Sequence, residues 1–186
     1  MNMTLPILHT LETLYRDKAT HRYGLADVSQ LQHALQSAAL AERNGEPANV
    51  IAAALLHDVG HMIHGLGENP AAQRVDDTHE ERAAAWLDPH FGADVVEPIR
   101  LHVAAKRYLC AMDHTYFGKL ASDSVRSLAL QGGPMSAEEV AQFERLPYFS
   151  EAVRLRRYDD QAKDPAMRTP PFAYFLACVE GALSRA

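Results

Sequence analysis

The chain has little of what would carry a protein into a bilayer or out of the cell. Two cysteines, Cys110 and Cys178, stand in 186 residues, too few for a disulfide framework. No apolar run approaches the roughly 20 residues that cross a membrane. The opening MNMTLPILHTLETLYRD has neither a basic leader nor a small-residue cleavage site, so no secretory signal is expected. A reducing cytoplasm is the expected compartment. Basic residues are outnumbered, 18 Lys and Arg against 24 Asp and Glu, and gather into no run. The net charge of -6 argues against nucleic acid or an anionic membrane as a main partner. Period-two alternation is missing, as are repeats and low-complexity stretches.

What remains is helical. The 47% apolar content is that of an ordinary globular chain, and residues 1–186 suit one all-α domain with a substantial core. A first short helix is expected over Leu5 to Arg16. A second runs from Asp27 to Arg43, with Leu31, Leu35, Ala38 and Ala39 on one face. Asn44-Gly45 stops it, and Pro47 suits the first turn of a third that reaches His57. Gly60, Gly65 and Gly67 open a loop. Thr78-x-x-Glu81 reads as a capping box and places His79 in the first turn of a fourth helix. Asp94 to Met112 is helical, with Pro98 near its start or between two pieces. Ser122 is a candidate cap for the next helix, Gly132-Gly133-Pro134 breaks the chain, and Ser136-x-x-Glu139 reads as another capping box. Helices near Pro147 to Tyr158 and Phe172 to Ser184 follow, joined by a loop from Lys163 to Pro171.

Ten histidines are many for this length. Their positions matter more than their number. His57-Asp58 ends the apolar stretch ANVIAAALL. Burying both groups without a partner would cost several kcal/mol. A metal ion wants both, and imidazole with carboxylate suits iron, manganese or zinc. His33, His79, His102 and Asp159 fall on other helices and are the remaining candidate ligands. Asp160 is an alternative to Asp159, whose three-residue spacing from Arg156 favours it. A lone histidine on an apolar helical face is more often a satisfied core residue; several of them with an HD pair are not so explained. His9, His21, His64, His90 and His114 read as surface or supporting residues.

The neighbours of these ligands select the chemistry. Lys106 lies one turn beyond His102, on its face. Arg156 lies three residues before Asp159. His61 follows His57 by four, and Ser124 sits in a first helical turn, where backbone N–H groups favour an anion. Lys106, Arg156, His61 and Ser124 together suit a doubly charged phospho group.

The order His33, His57-Asp58, His79, His102, Asp159 resembles the HD-domain superfamily. The segments QLQHALQ (Gln30 to Gln36), LLHDVGH (Leu55 to His61), HVAAKRYL (His102 to Leu109) and LQGGPM (Leu130 to Met135) resemble, within it, the HD-domain phosphonate oxygenases. The likeness spans about Tyr23 to Ala162. It implies a helical bundle holding two iron ions in the mixed-valent Fe(II)/Fe(III) state. His33, His57, Asp58 and Asp159 would hold one ion. Asp58, His79 and His102 would hold the other, with Asp58 as bridge. Dioxygen is the implied co-substrate, and the implied reaction cleaves a carbon–phosphorus bond to give a carboxylate and phosphate. His61, Lys106, Ser124 and Arg156 would hold the phosphonate. Tyr23 matches a tyrosine that fills a vacant iron position until substrate arrives. The implied catalytic set is Tyr23, His61 and Lys106.

The family pattern for primary amines has a glutamate three residues after that tyrosine; here the position is Ala26. A trimethylammonium group needs no hydrogen-bond acceptor and more room. The expected substrate is therefore 1-hydroxy-2-(trimethylamino)ethylphosphonate, giving glycine betaine, with Asp27 supplying charge. An upstream hydroxylase would provide the 1-hydroxy group. The primary amine, 2-amino-1-hydroxyethylphosphonate, and an unaminated hydroxyphosphonate are alternatives. A metal-dependent phosphohydrolase and a ligand-sensing module are the competing functions.

Overall fold

The computed structural model describes residues 4–20, 27–63 and 78–184. In chain order its helices are α1 (Thr4–Lys18), α2 (Gln30–Arg43), α3 (Ala48–Leu56), α4 (Gly60–Ile63) and α5 (His79–Leu87), followed by α6 (Ala93–Met112), α7 (Ser122–Leu130), α8 (Ala137–Phe143), α9 (Phe149–Gln161) and α10 (Phe172–Gly181). A 3-10 turn, Phe117–Lys119, joins α6 to α7. Among the described residues there is no strand, only an isolated bridge between Phe91 and Leu183.

α3 sits at the centre because it has no polar face to show to water. Val50, Ile51, Ala52, Ala53, Ala54, Leu55 and Leu56 are all buried. The three alanines let neighbours approach closely, and α2, α6, α9 and α10 pack around it. Burying Leu55 and Leu56 contributes roughly 1.5–3 kcal/mol each. The Tyr15 hydroxyl donates to the Leu55 carbonyl at 2.7 Å. That bond ties α1 to the end of α3 and satisfies a carbonyl which the helix terminus would leave open.

Local chemistry moves several expected boundaries. α2 starts at Gln30 rather than Asp27, because Ser29 and Gln32 exchange a reciprocal pair of bonds at its start. The expected capping box at Thr78 does not form: its backbone is left-handed (φ 46°) and its side chain makes no capping bond. A capping oxygen needs extended backbone to reach back to the first-turn amides. The box at Ser136 and Glu139 is present. Ala121, not Ser122, is the residue that precedes α7. Gly60 opens a short helix rather than a loop; Gly65 and Gly67 lie outside the described residues. α9 begins at Phe149, after the left-handed Tyr148 (φ 64°), rather than at Pro147. Pro98 lies inside one continuous helix. The Asp94 carbonyl, which Pro98 has no N–H to meet, faces the Asn49 side-chain amide at 3.5 Å.

The LQGGPM segment is a turn docked on α6. Gly132 and Gly133 take positive φ (96° and 74°). Arg107 donates to the Gly133 carbonyl at 2.8 Å, and its own carbonyl accepts from Met135 N–H at 3.2 Å. This fixes the far end of α7, and with it the height of Ser124 and Ser127 above α6.

Candidate metal centre

The six expected ligands come from α2, the α3–α4 joint, α5, α6 and α9, and they converge. His33, His57, Asp58, His79, His102 and Asp159 are all buried. Each imidazole is held by the nitrogen that faces away from the centre. His33 Nδ1 meets the Ala162 carbonyl at 2.8 Å, His57 Nδ1 the Ala54 carbonyl at 2.9 Å, and His102 Nδ1 the Ile99 carbonyl at 2.7 Å. A carbonyl only accepts, so these Nδ1 atoms carry the proton and each Nε2 presents a lone pair. His79 Nδ1 faces a Glu80 carboxylate oxygen at 3.5 Å.

The lone pairs meet in two sets. His33 Nε2 lies 3.2 Å from His57 Nε2, and His79 Nε2 lies 3.2 Å from His102 Nε2. Two nitrogen lone pairs at that distance repel unless a cation lies between them. Two nitrogens on one ion at right angles, with bonds of about 2.1 Å, would be roughly 3 Å apart. Asp58 stands between the pairs. Its Oδ2 is 3.4 Å from both His33 and His57, while its Oδ1 is 3.5 Å from His79 and 3.7 Å from His102. Asp159 Oδ1 faces His33 Nε2 at 3.5 Å. Asp58 Oδ2 and Asp159 Oδ1 are buried and meet no donor in hydrogen-bonding geometry among the described residues. Orphaned carboxylate oxygens beside facing imidazole lone pairs fit a metal centre.

Electrostatics agree in direction. Burial depresses His57 and drives His102 well below the ordinary imidazole range. Burial pushes the Asp58 carboxyl up, but the surrounding histidines outweigh it and hold it well below the carboxylate range. For Asp159, burial is outweighed by Arg156 and Lys163.

The α2–α9 contact sets this geometry. Gln36, buried, donates to the Asp164 carbonyl at 2.7 Å and accepts from Asp164 N–H at 3.1 Å. With His33 on the Ala162 carbonyl, three bonds lock the end of α9 against α2. Asp160 points elsewhere, to Arg156 and Tyr116, so Asp159 faces the histidines and Asp160 does not.

Beside the cluster lie two buried cations. Lys106 is 2% exposed and Arg156 4%. Lys106 donates to Ser127 Oγ at 2.7 Å. Burial, and then the Arg156 charge, lower its ammonium to about 7. Arg156 reaches Asp159 at 2.6 Å and Ser124 Oγ at 3.4 Å. The His61 ring stacks on His79 at 3.9 Å between centroids, with its Nε2 3.9 Å from Asp58 Oδ1. Asp58, His61 and His79 could themselves hold an ion, so His61 borders the ligand set as well as the anion side.

Asp27 is exposed and lines an open depression with Thr20, Val28 and Ser29 among the described residues. Tyr23 and Ala26 lie outside the described residues, as do His21 and His64. His9 and His114 are exposed and His90 is half-buried. Sequence reasoning missed Ser127, Glu80, Lys163 and Tyr116. Ser127 could have been found, since it lies one turn after Ser124 on the same face. Tyr116 carries no signal in the sequence, because only the fold brings it beside Arg156.

This chain is 42% identical over 153 residues to 1-hydroxy-2-(trimethylamino)ethylphosphonate dioxygenase (glycine-betaine-forming) of Leisingera caerulea, covering 82% of this chain and 78% of that protein. It is 44% identical over 157 residues to hydroxymethylphosphonate dioxygenase of Gimesia maris, covering 84% and 78%. Both relatives are dioxygenases of phosphonates by name. The HD domain family model matches residues 31–161, a span that holds all six converging candidate ligands. With the histidine–aspartate cluster on helices and the match over most of its length, the chain belongs to the HD domain family.

Proposed function

We propose that this protein is an iron- and oxygen-dependent enzyme that breaks the carbon–phosphorus bond of 1-hydroxy-2-(trimethylamino)ethylphosphonate. The products are glycine betaine and inorganic phosphate. The oxygen balance closes with one dioxygen, which supplies one atom to the carboxylate and one to phosphate. The carrying observation is Asp58, one oxygen toward each histidine pair, with buried Lys106 and Arg156 alongside. His33, His57, Asp58 and Asp159 would hold one iron; Asp58, His79 and His102 would hold its mixed-valent partner. When bound, the two ions would supply one-electron chemistry with dioxygen and Lewis-acid contacts to substrate oxygens.

The chain's own residues do the rest. Lys106 and Arg156 hold the phosphonate dianion, and burial strengthens both contacts by removing competing water. The Ser124 hydroxyl adds a neutral donor. His61, stacked on His79, is placed to orient the substrate beside the Asp58 bridge. Tyr23 would guard the open ligand position, and Asp27 would supply charge toward the ammonium. The substrate's hydroxyl implies an upstream hydroxylating step, with both reactions in the cytoplasm.

A second reading is favoured by the Gimesia relative and by Ala26: hydroxymethylphosphonate, which has no ammonium to bind. The test is phosphate release by the iron-loaded, partly reduced protein, with and without oxygen, on both substrates. Oxygen-dependent release from the trimethylammonium substrate is expected. Faster release from hydroxymethylphosphonate selects the second reading. Oxygen-independent release from simple phosphate esters makes the protein a hydrolase and ends both.

A further inference from the structure

Arg156 is held more tightly than binding a phosphonate requires. Its guanidinium offers five N–H donors in a rigid plane. Nη1 goes to Asp159 at 2.6 Å. The Nε–Nη2 edge is taken by Asp160, whose Oδ2 lies 3.3 Å from Nε while Oδ1 accepts from Nη2. This is a two-point grip on one edge, which fixes the plane of the group. The Tyr116 hydroxyl closes the circuit: it accepts from Arg156 Nε at 3.1 Å and donates to Asp160 Oδ2. Tyr116 is buried, in the segment between α6 and α7, whereas Arg156 and Asp160 share one face of α9. The long 3.4 Å bond to Ser124 is the weakest of the set. It is the one an incoming anion would most easily replace.

The charges make this arrangement costly for anion binding. Asp159 and Asp160 together cancel more than the charge of Arg156. Lys163, 3.5 Å from Asp159 and 4.0 Å from Asp160, restores the balance. A second carboxylate so near a dianion site weakens attraction. Its use is directional.

We propose that Asp160 and Tyr116 are positioning residues for Arg156. They lock its guanidinium in the orientation that joins the ligand Asp159 on one side to the bound phosphonate on the other. The proposal rests on the reading of Arg156 as a phosphonate contact, and the test separates the two. KM and kcat for the hydroxyphosphonate are measured for Tyr116→Phe, Asp160→Asn and Arg156→Ala. The inhibition constant of inorganic phosphate and the iron content per chain are measured alongside.

Loss of a buried bond to a charged group predicts about a tenfold rise in KM and in the phosphate inhibition constant for Tyr116→Phe and Asp160→Asn. Iron content and kcat stay within about twofold, because the contact is made equally in ground and transition states. Charge alone predicts the opposite sign for Asp160→Asn, since removing a negative group tightens anion binding. Tighter binding in Asp160→Asn therefore overturns the proposal. So does unchanged KM in Tyr116→Phe when Arg156→Ala raises it, even if Tyr116→Phe lowers Tm. If Asp160→Asn fails to fold, Tyr116→Phe decides, since it removes one oxygen and keeps the ring. If Arg156→Ala leaves phosphate inhibition unchanged, the assignment of Arg156 to the anion site falls first.

Discussion

Gly60, inside the HDVGH stretch, offers a prediction in which two effects have opposite signs. It opens α4, and a helical glycine replaced by alanine should gain about 1 kcal/mol from propensity alone. The contact says otherwise. A methyl group at Gly60 would lie 2.0 Å from the His79 carbonyl oxygen, 2.7 Å from its carbonyl carbon and 2.9 Å from its Cα. Real side-chain carbons stay beyond 3.0 Å, so the His79 backbone would have to retreat by about 1 Å or more. Backbone cannot rotate aside as a flexible side chain can. Overpacking of this kind costs roughly 1–3 kcal/mol. Less the helical gain of about 1 kcal/mol, the net loss is roughly 0–2 kcal/mol, and at ~2–4 °C per kcal/mol for a chain of this size Gly60→Ala should lower Tm by up to roughly 8 °C.

The functional effect follows from where the strain falls. His79 pairs with His102 and Asp58 Oδ1, so a shift of about 1 Å spoils one half of the cluster and spares the His33–His57 half. Metal affinity at the affected half should fall ~10–100-fold, as when a ligand loses its orienting support. The assay is thermal unfolding together with iron per chain after dialysis. Gly118→Ala is the control, because a methyl group there meets nothing within 4 Å. Parental Tm and full iron content in Gly60→Ala would refute the reasoning.

Three further expectations can be checked with the same protein. Asp58→Ala should lose iron from both halves, whereas His102→Ala should retain about one ion per chain; equal iron content in the two variants would deny Asp58 its bridging place. Lys106 loses its charge as pH rises through about 7, so kcat/KM should fall on the alkaline side while Lys106→Arg flattens that limb; an identical limb in the variant would remove Lys106 from the anion site. Between about 7 and the ordinary lysine value near 10.4 the unfolded chain binds a proton that folded Lys106 does not. This group therefore makes stability rise with pH across that window, and Lys106→Met should abolish its share in unfolding followed by denaturant.

How much was legible in advance depended on the range of the interaction. Local rules placed the helices that carry His33, His57 and His102, and the Ser136–Glu139 box at the start of α8, because apolar periodicity and capping act within a few residues. Thr78 failed the same rule: its backbone is left-handed and its side chain makes no capping bond, despite the T-x-x-E pattern. The candidate ligands stood out because buried histidine next to aspartate has few inexpensive explanations. The choice of Asp159 over Asp160 rested on a spacing of three to Arg156, yet both carboxylates bind that arginine.

By itself the sequence determined an all-helical chain with an uncharged central helix, an HD pair at its end and basic side chains one turn from the candidate ligands. Those are properties of covalent order and helical period, so they can be read from residue types alone. Only the tertiary structure decided that the lone pairs face one another in two sets, that each Asp58 oxygen serves a different set, and that Ser127 and Tyr116 reach the two buried cations. The last two contacts join residues 21 and 40 positions apart, Lys106 with Ser127 and Arg156 with Tyr116. No periodicity within one helix encodes them; they exist only because α3 is buried on every side and its neighbours must close around it.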